Sequence, residues 1–575
     1  MSRERGRTGW RLAVPLLVSF VALCFGVAVA VADDPQPVDF LHTHNGLDAD
    51  APVTGGVFGS GSAFKTGTAI CTTPKQTTAN VNTDCDTSGS NGVTNPHNET
   101  SITVNPTNPQ NILGGANDYQ LGINPGGHVS ETLRSFAHVS LDGGQTWSEY
   151  PINSNSSYQA TGDPSVAFDA SGHAYYATLG FRFVGPANAQ NPDVLVANSG
   201  DGGKTWDVKR IASGSGVESS VGDLLDKEYV AAWGSGNAIV TYGDFRLGQG
   251  GSFSTGQIFA SVTHDFGQTW TKPTLISGDR DQAFVSVPTV AADGTIYVAF
   301  LNTDNVDPSN SETFGRDSYY AVRVSPADGH ALAAPVKVAD VIDGATDYPL
   351  AFGRQTYQDS LFRTWAAGNI TADPTRAGHL AVVWSDMRNS ELPAPSNPYE
   401  AVTNSDVVVS ESFDGGLHWS TPAAITLDDG HTLGSDQFMP WGAFDGSGGL
   451  NIGFFDRRYD GANHRYGYTV AHADASTTPS TSFDATQVTT ALSDPTQGDR
   501  WFRATVDPDF PNATTFLGDY SNIAVVPENG KASGGTGITF GTDVVAYWTD
   551  MRNQACFPAG VCGSGEDAYF GRPSP

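Results

Sequence analysis

A short pattern, Ser/Thr-x-Asp-x-Gly-x-Thr-Trp, occurs four times in this chain, the last copy with His in the Thr position. The copies are Ser140-Leu-Asp142-Gly-Gly-Gln-Thr146-Trp147, Ser199-Gly-Asp201-Gly-Gly-Lys-Thr205-Trp206, Thr263-His-Asp265-Phe-Gly-Gln-Thr269-Trp270 and Ser412-Phe-Asp414-Gly-Gly-Leu-His418-Trp419. Each follows a β-like run, so the chain is built from a repeated supersecondary unit. The residue types suit a tight hairpin. Asp and Ser/Thr side chains bond turn amides, Gly supplies positive φ, and Trp plugs the turn against its sheet.

The repeat is longer than its turn. Its fullest form runs Asp163-Pro-Ser-Val-Ala-Phe-Asp169, a turn at Ala170-Ser-Gly172, His173-Ala-Tyr-Tyr-Ala-Thr-Leu179, Asp193-Val-Leu-Val-Ala-Asn198, the Asp-bearing turn and Thr205-Trp-Asp-Val-Lys-Arg-Ile211. Each piece is short and alternating, which predicts a four-stranded antiparallel meander with the Asp turn between its third and fourth strands. The same frame begins near residue 97, at Asp226, at Val287, near residue 362, at Met439 and at Asp519. Asp142, Asp201 and Asp265 are 59 and 64 residues apart, and the step of 149 to Asp414 leaves room for a unit with a degenerate turn, Ser325–Gly329. Four-stranded meanders repeated about an axis make an all-β propeller. The count is seven blades over residues 96–575, with six as the alternative because the last two units lack the turn.

Glycine and proline, 66 and 33 of 575 residues, suit such a loop-rich fold. Residues 1–32 read as a cleavable signal peptide: Arg3, Arg5, Arg7 and Arg11 precede an apolar run that ends in Ala30-Val-Ala32. An uncleaved anchor is the alternative. Residues 33–95, rich in Gly, Thr, Asn and Ser, read as an extended low-complexity segment. The expected location is therefore secreted or extracytoplasmic, with no membrane association in the mature form, which is expected to be a monomer. Loss of four Arg and Glu4 takes the formal charge from −31 to −34, which excludes nucleic acid as a partner. The cysteines beyond the signal form two close pairs, Cys71/Cys85 and Cys556/Cys562, and predict two local disulfides. No His stands at zinc-ligand spacing from either pair, so no metal is expected. No glycine loop leads into a helix and there is no nucleophile elbow, so no cofactor is expected.

The repeated turn is the Asp-box, or bacterial neuraminidase repeat, and over about residues 97–572 the chain resembles the sialidase superfamily of propellers. In that family the boxes lie on the face away from the active site. The resemblance thus implies structural roles for Asp142, Asp201, Asp265 and Asp414. It also implies an exo-sialidase-like glycoside hydrolase acting on extracellular glycans, acidic ones included. The family's Arg-Ile-Pro segment ahead of the first box is absent, and Asn98-Glu-Thr-Ser-Ile-Thr-Val104 stands there.

Strand direction locates the opposite mouth without reference to any family. In an antiparallel meander the end of the second strand lies beside the start of the first. After second strands come Tyr242-Gly-Asp244-Phe-Arg246, Trp384-Ser-Asp386-Met-Arg388, Phe455-Asp456-Arg457-Arg458 and Trp548-Thr-Asp550-Met-Arg552. Before first strands come Asn98-Glu99, Gly162-Asp163, Asp226-Lys227-Glu228-Tyr229 and Gly518-Asp519-Tyr520. Arginine forks suit carboxylated or sulfated sugars, and paired carboxylates suit glycoside hydrolysis. Arg246, Arg388, Arg458 and Arg552 are accordingly expected to hold substrate, although a repeated Asp-x-Arg also fits a structural tie. Asp163 or Glu99 is the expected acid/base, with Asp226 and Asp519 beside it. By analogy with sialidase tyrosines, Tyr520 is the expected nucleophile. Trp365 and Trp441 fit sugar platforms or core packing. The second functional reading is a non-catalytic propeller that binds glycan or protein.

Overall fold

The computed structural model describes residues 67–85 and 96–573, save 124–128, 153–157, 159, 183–189, 217–220, 248–252, 304–316, 344–349, 352–353, 359, 361, 363, 390–402, 428–433, 496–516, 531–533 and 557–561. The expected signal segment lies outside the described residues. Seven sheets, antiparallel but for a short strand, Thr426–Leu427, that pairs parallel with Ser482–Gln487 in the sixth, form a seven-bladed β-propeller, as the repeat spacing predicts, and the described residues contain no helix. The first strands of the blades are His97–Val104, Ala160–Phe168, Gly222–Trp233, Ala283–Val290, Asn369–Ala372, Gln437–Phe444 and Asn522–Pro527. These strands contact one another around the ring and so line its axis. Second strands are sandwiched between neighbouring blades. They therefore read as unbroken buried runs, such as Leu380–Asp386 and Leu450–Asp456, rather than as alternating ones.

The ring closes with a strand that the frame of seven units does not include. Asn80–Asn82 pairs antiparallel with Cys562–Gly571 and forms the outermost strand of the last blade. Part of the segment read as low-complexity is thus structural. The Cys71–Cys85 disulfide sits on the same segment, with Cα atoms 5.8 Å apart. Cys556 and Cys562 face each other in the ladder, but their side chains lie outside the described residues.

Side chains also stitch blade to blade along the axis. The Val166 N–H donates to Ser101 Oγ, Val230 N–H to Ser165 Oγ, Gly442 N–H to Asn369 Oδ1 and Ile102 N–H to Asn522 Oδ1. Each bond satisfies an inner-strand amide that would otherwise be orphaned at a sheet edge. The last one joins the seventh blade to the first.

The four repeated turns share one geometry. In the first, Asp142 accepts the N–H groups of Gln145 and Thr146 and the Thr146 hydroxyl, while Ser140 Oγ accepts the Gly144 N–H. Gly143 and Gly144 have φ of 75° and 99°. Trp147 is fully buried, stacks on Tyr547 of the last blade and donates to the Gly144 carbonyl. In the fourth turn His418 Nδ1 replaces the Thr hydroxyl, 2.6 Å from Asp414. All four turns lie at the end of the blades opposite the starts of the first strands.

Candidate functional site

At the start of the first strand the ladder slips in five blades. The breaks fall between Asn98 and Ser101, Gly162 and Ser165, Asp226 and Tyr229, Phe284 and Ser286, and Phe438 and Trp441. The first residue of each bulge has positive φ: Glu99 54°, Asp163 57°, Lys227 55°, Val285 47° and Met439 50°. Non-glycine residues in this region cost about 1–3 kcal/mol each, and such strain collects at functional sites. Consecutive blades place Glu99, Asp163 and Lys227 in this strained position.

The three side chains converge. Lys227 Nζ lies 2.6 Å from Asp163, 2.8 Å from Asp519, 3.7 Å from Glu99 and 3.9 Å from Asp226. It also sits 5.6 Å above the Trp365 ring. One ammonium that touches groups from the first, second and seventh blades, and from the segment leading into the fifth, must lie on the axis. Asp519 N–H donates to Glu99 Oε1, and a Cβ on Gly518 would stand 2.6 Å from the Glu99 nitrogen, so that approach needs glycine. All these charged groups are buried.

Electrostatics separate the members. Burial alone would lower the Lys227 pKa, but Asp163, Asp226, Asp519 and Glu99 together outweigh it and hold the ammonium well above its ordinary value. Burial pushes the Asp226 carboxyl up to about 7; Lys227 opposes the shift and Asp163 adds to it. Glu228 is pushed well up by burial and then by Asp163, and neither of its buried oxygens accepts a hydrogen bond.

Tyr520 closes the axis. Its hydroxyl donates to the Pro164 carbonyl across the ring at 2.9 Å, and its ring lies 5.6 Å from that of Tyr229. Tyr229 in turn lies 5.8 Å from Trp441. Burial, followed by Glu99 and Asp163, raises the Tyr520 phenol well above its usual range, so it stands as a protonated donor. Trp365 Nε1 donates to the Asp519 carbonyl. The five carboxylate and tyrosine positions read from sequence, Glu99, Asp163, Asp226, Asp519 and Tyr520, therefore meet in one place.

The arginines do not join them. Arg388, Arg458 and Arg552 each form a two-pronged bond, through Nε and Nη2, to the Asp two residues earlier, with Nη2 contacts of 2.6, 2.7 and 2.6 Å. In two blades the same Asp accepts a Trp indole N–H, from Trp384 to Asp386 and from Trp548 to Asp550. Two of these brackets also reach the preceding blade: Arg388 Nη2 donates to the Asp340 carbonyl and Arg552 Nη1 to the Thr490 hydroxyl. Arg246 differs: it is 59% exposed, lies 3.7 Å from Asp223 and makes no such bracket with Asp244.

Sequence reasoning did not single out Lys227, although Asp226-Lys227-Glu228-Tyr229 stood in the right frame; a lone Lys amid carboxylates was the available signal. It also passed over Arg457, which is fully buried and paired with Asp436 at 3.2 Å. Its neighbour Arg458 drew attention because it fitted the repeat.

No family model and no curated protein matches the sequence. Solved structures resemble the fold. A Hadza microbial sialidase, Hz136, has a TM-score of 0.36 and 11% identity over 63% of each chain, so this chain spans less than two thirds of its length. A polysaccharide lyase of family PL25, an ulvan lyase bound to -[GlcA(1-4)Rha3S]-, has a TM-score of 0.41 and 11% identity over 68% of this chain and 80% of that one. An α-L-arabinanase of Penicillium chrysogenum complexed with arabinobiose has a TM-score of 0.38 and 12% identity over 83% and 93%. At such scores and identities these similarities say nothing about the chemistry of the axial site.

Proposed function

We propose that the Lys227 cluster is the chemical centre of an exported, glycan-hydrolysing propeller. The observation behind this reading is that two carboxylates share one ammonium in unlike environments. Asp163 pairs with Lys227 at 2.6 Å, while Asp226 stands 3.9 Å away with its carboxyl pushed up to about 7. Carboxyl groups whose environments differ in this way divide acid and base roles in glycoside hydrolysis. In this reading Asp226 delivers the proton to the leaving oxygen and Asp163 provides the opposing carboxylate. Glu99 and Asp519 hold Lys227 in place. The protonated Tyr520 fixes the Asp163-Pro164 backbone through its bond to the Pro164 carbonyl. Trp365 and Trp441, both half-buried at the axis, offer faces to a sugar ring. Arg246, exposed and outside any bracket, is the guanidinium suited to an acidic sugar.

A specific observation favours the second reading, a propeller that binds glycan or protein without turnover. Three of the four arginines are committed to the Asp two residues before them. A panel of aryl glycosides that includes an aryl sialoside separates the two. Hydrolysis by the pure protein, reduced at least 100-fold in Asp226→Asn with KM little changed, is the expected result. Binding on a glycan array with no turnover of any substrate would leave the second reading.

A further inference from the structure

A second buried cluster lies at the seam where the ring closes. It gathers residues from the N-terminal segment, the first blade and the last blade. Asp84 follows the N-terminal strand, His97 opens the first blade and Asp567 stands on the third strand of the last blade. One ligand-type atom from each of the three lies within 4.8 Å of the other two. Donors bound at about 2.0–2.2 Å to one ion are at most about 4.4 Å apart, so slight closure suffices to share an ion. The His97 ring is oriented for it. Nδ1 faces Asp84 at 3.6 Å and Nε2 faces Asp118 at 3.6 Å. A carboxylate behind the far nitrogen of a ligating histidine is the usual way its tautomer is fixed.

An independent observation points to a missing partner. Asp567 is 1% exposed; its Oδ2 accepts from Asn553 Nδ2, but Oδ1 accepts no hydrogen bond. Next to Asp84, Glu149 is fully buried, with Oε1 accepting from the Cys85 N–H and Oε2 accepting no hydrogen bond. Buried carboxylate oxygens without a donor are expensive, and a cation removes the cost.

We infer that Asp84, His97 and Asp567 bind one divalent transition-metal ion, which fastens the N-terminal segment to the first and last blades. One imidazole with two carboxylates selects zinc or manganese over calcium, which prefers oxygen alone. The absence of zinc-spaced His near the cysteines does not bear on such a site, because its third ligand, Asp567, stands 470 residues beyond His97. The inference stands whether or not the axial cluster is catalytic.

The test uses the full mature chain, stripped with chelator and titrated calorimetrically with ZnCl2 and MnCl2. The expected result is one ion per chain, a higher thermal midpoint with the ion than without it, and binding at least tenfold weaker in Asp567→Asn and in Asp84→Asn. Cobalt substitution guards against variants that fail to fold. The wild-type protein should show visible d–d bands without the near-ultraviolet thiolate charge-transfer band, which places the ion away from Cys71 and Cys85. Failure of both ions to bind the wild type saturably overturns the inference, as does unchanged affinity in both folded variants or a thiolate band.

Discussion

Lys227 Nζ lies 2.6 Å from the Asp163 carboxylate, joining the third blade to the second at the axis. Asp519 at 2.8 Å extends the tie to the seventh blade. Removing the ammonium leaves at least two buried carboxylates with no counter-charge. Lys227→Met, of similar length, should therefore cost ~3–5 kcal/mol, the usual result of breaking a buried ion pair from one side. Because the folded pKa of Lys227 is raised, its contribution is fully present below the ordinary lysine range and is lost only as pH rises through the higher folded value. Urea unfolding of both proteins at neutral pH measures the difference, and a loss under ~1 kcal/mol would show that the knot is not what holds the axis.

Asp226 predicts a pH dependence of the same sign in a lower pH window. Its carboxyl ionises near its ordinary value in the unfolded chain but at about 7 in the folded one. Between those values the folded state binds the extra proton, so stability from this group is present at low pH and falls as pH rises toward about 7. Asp226→Asn keeps an acceptor for the Lys227 N–H, which is bonded at 2.7 Å, and removes the titration. Wild type minus variant should thus lose roughly 2–4 kcal/mol between about pH 4 and pH 7. A flat difference would mean that Asp226 titrates normally.

The turn pattern made the fold legible. Four Asp turns of one pattern, the first three 59 and 64 residues apart, gave the blade frame and the end of the blades on which they lie, and strand direction then placed Glu99, Asp163, Asp226, Asp519 and Tyr520 at the other end. Two things stayed hidden for physical reasons. Asn80–Asn82 is too short to show any periodicity, and its partner, Cys562–Gly571, is more than 480 residues away. The bracketing of Arg388, Arg458 and Arg552 depends on side-chain rotamers at Asp-x-Arg, which spacing alone does not specify. The composition of the mouth could be read; whether its charges faced one another or folded back could not.

The brackets make a prediction about the arginines. In Arg552→Met the Asp550 carboxylate loses a two-pronged partner at 2.8 and 2.6 Å but keeps the Trp548 indole N–H. The expected cost is ~1–3 kcal/mol of stability, with glycan binding or turnover unchanged. Arg246→Ala, at an exposed side chain, should do the reverse: stability within ~0.5 kcal/mol of wild type and weaker handling of acidic sugars. Equal effects of the two variants on sugar handling would return the bracketed arginine to the substrate.

The first repeated turn predicts where the ring opens. Asp142 accepts four hydrogen bonds inside its own loop, so Asp142→Ala should cost ~1–3 kcal/mol and leave the axial site intact. Gly144 is a harsher position. It sits at φ 99°, where an L-residue is strained, and a Cβ there would stand 2.2 Å from the Phe570 ring. Phe570 belongs to the last blade, on the strand that pairs with Asn80–Asn82, and packs 5.2 Å from Trp147. Relief requires Phe570 to move, and with it the contact between the first and seventh blades. Gly144→Ala should therefore cost more than Asp142→Ala, ~2 kcal/mol or above, and should speed hydrogen exchange in Asn80–Asn82 and Cys562–Gly571 before any other blade. Uniform loss of protection around the ring, or a milder effect than Asp142→Ala, would show that closure does not depend on this contact.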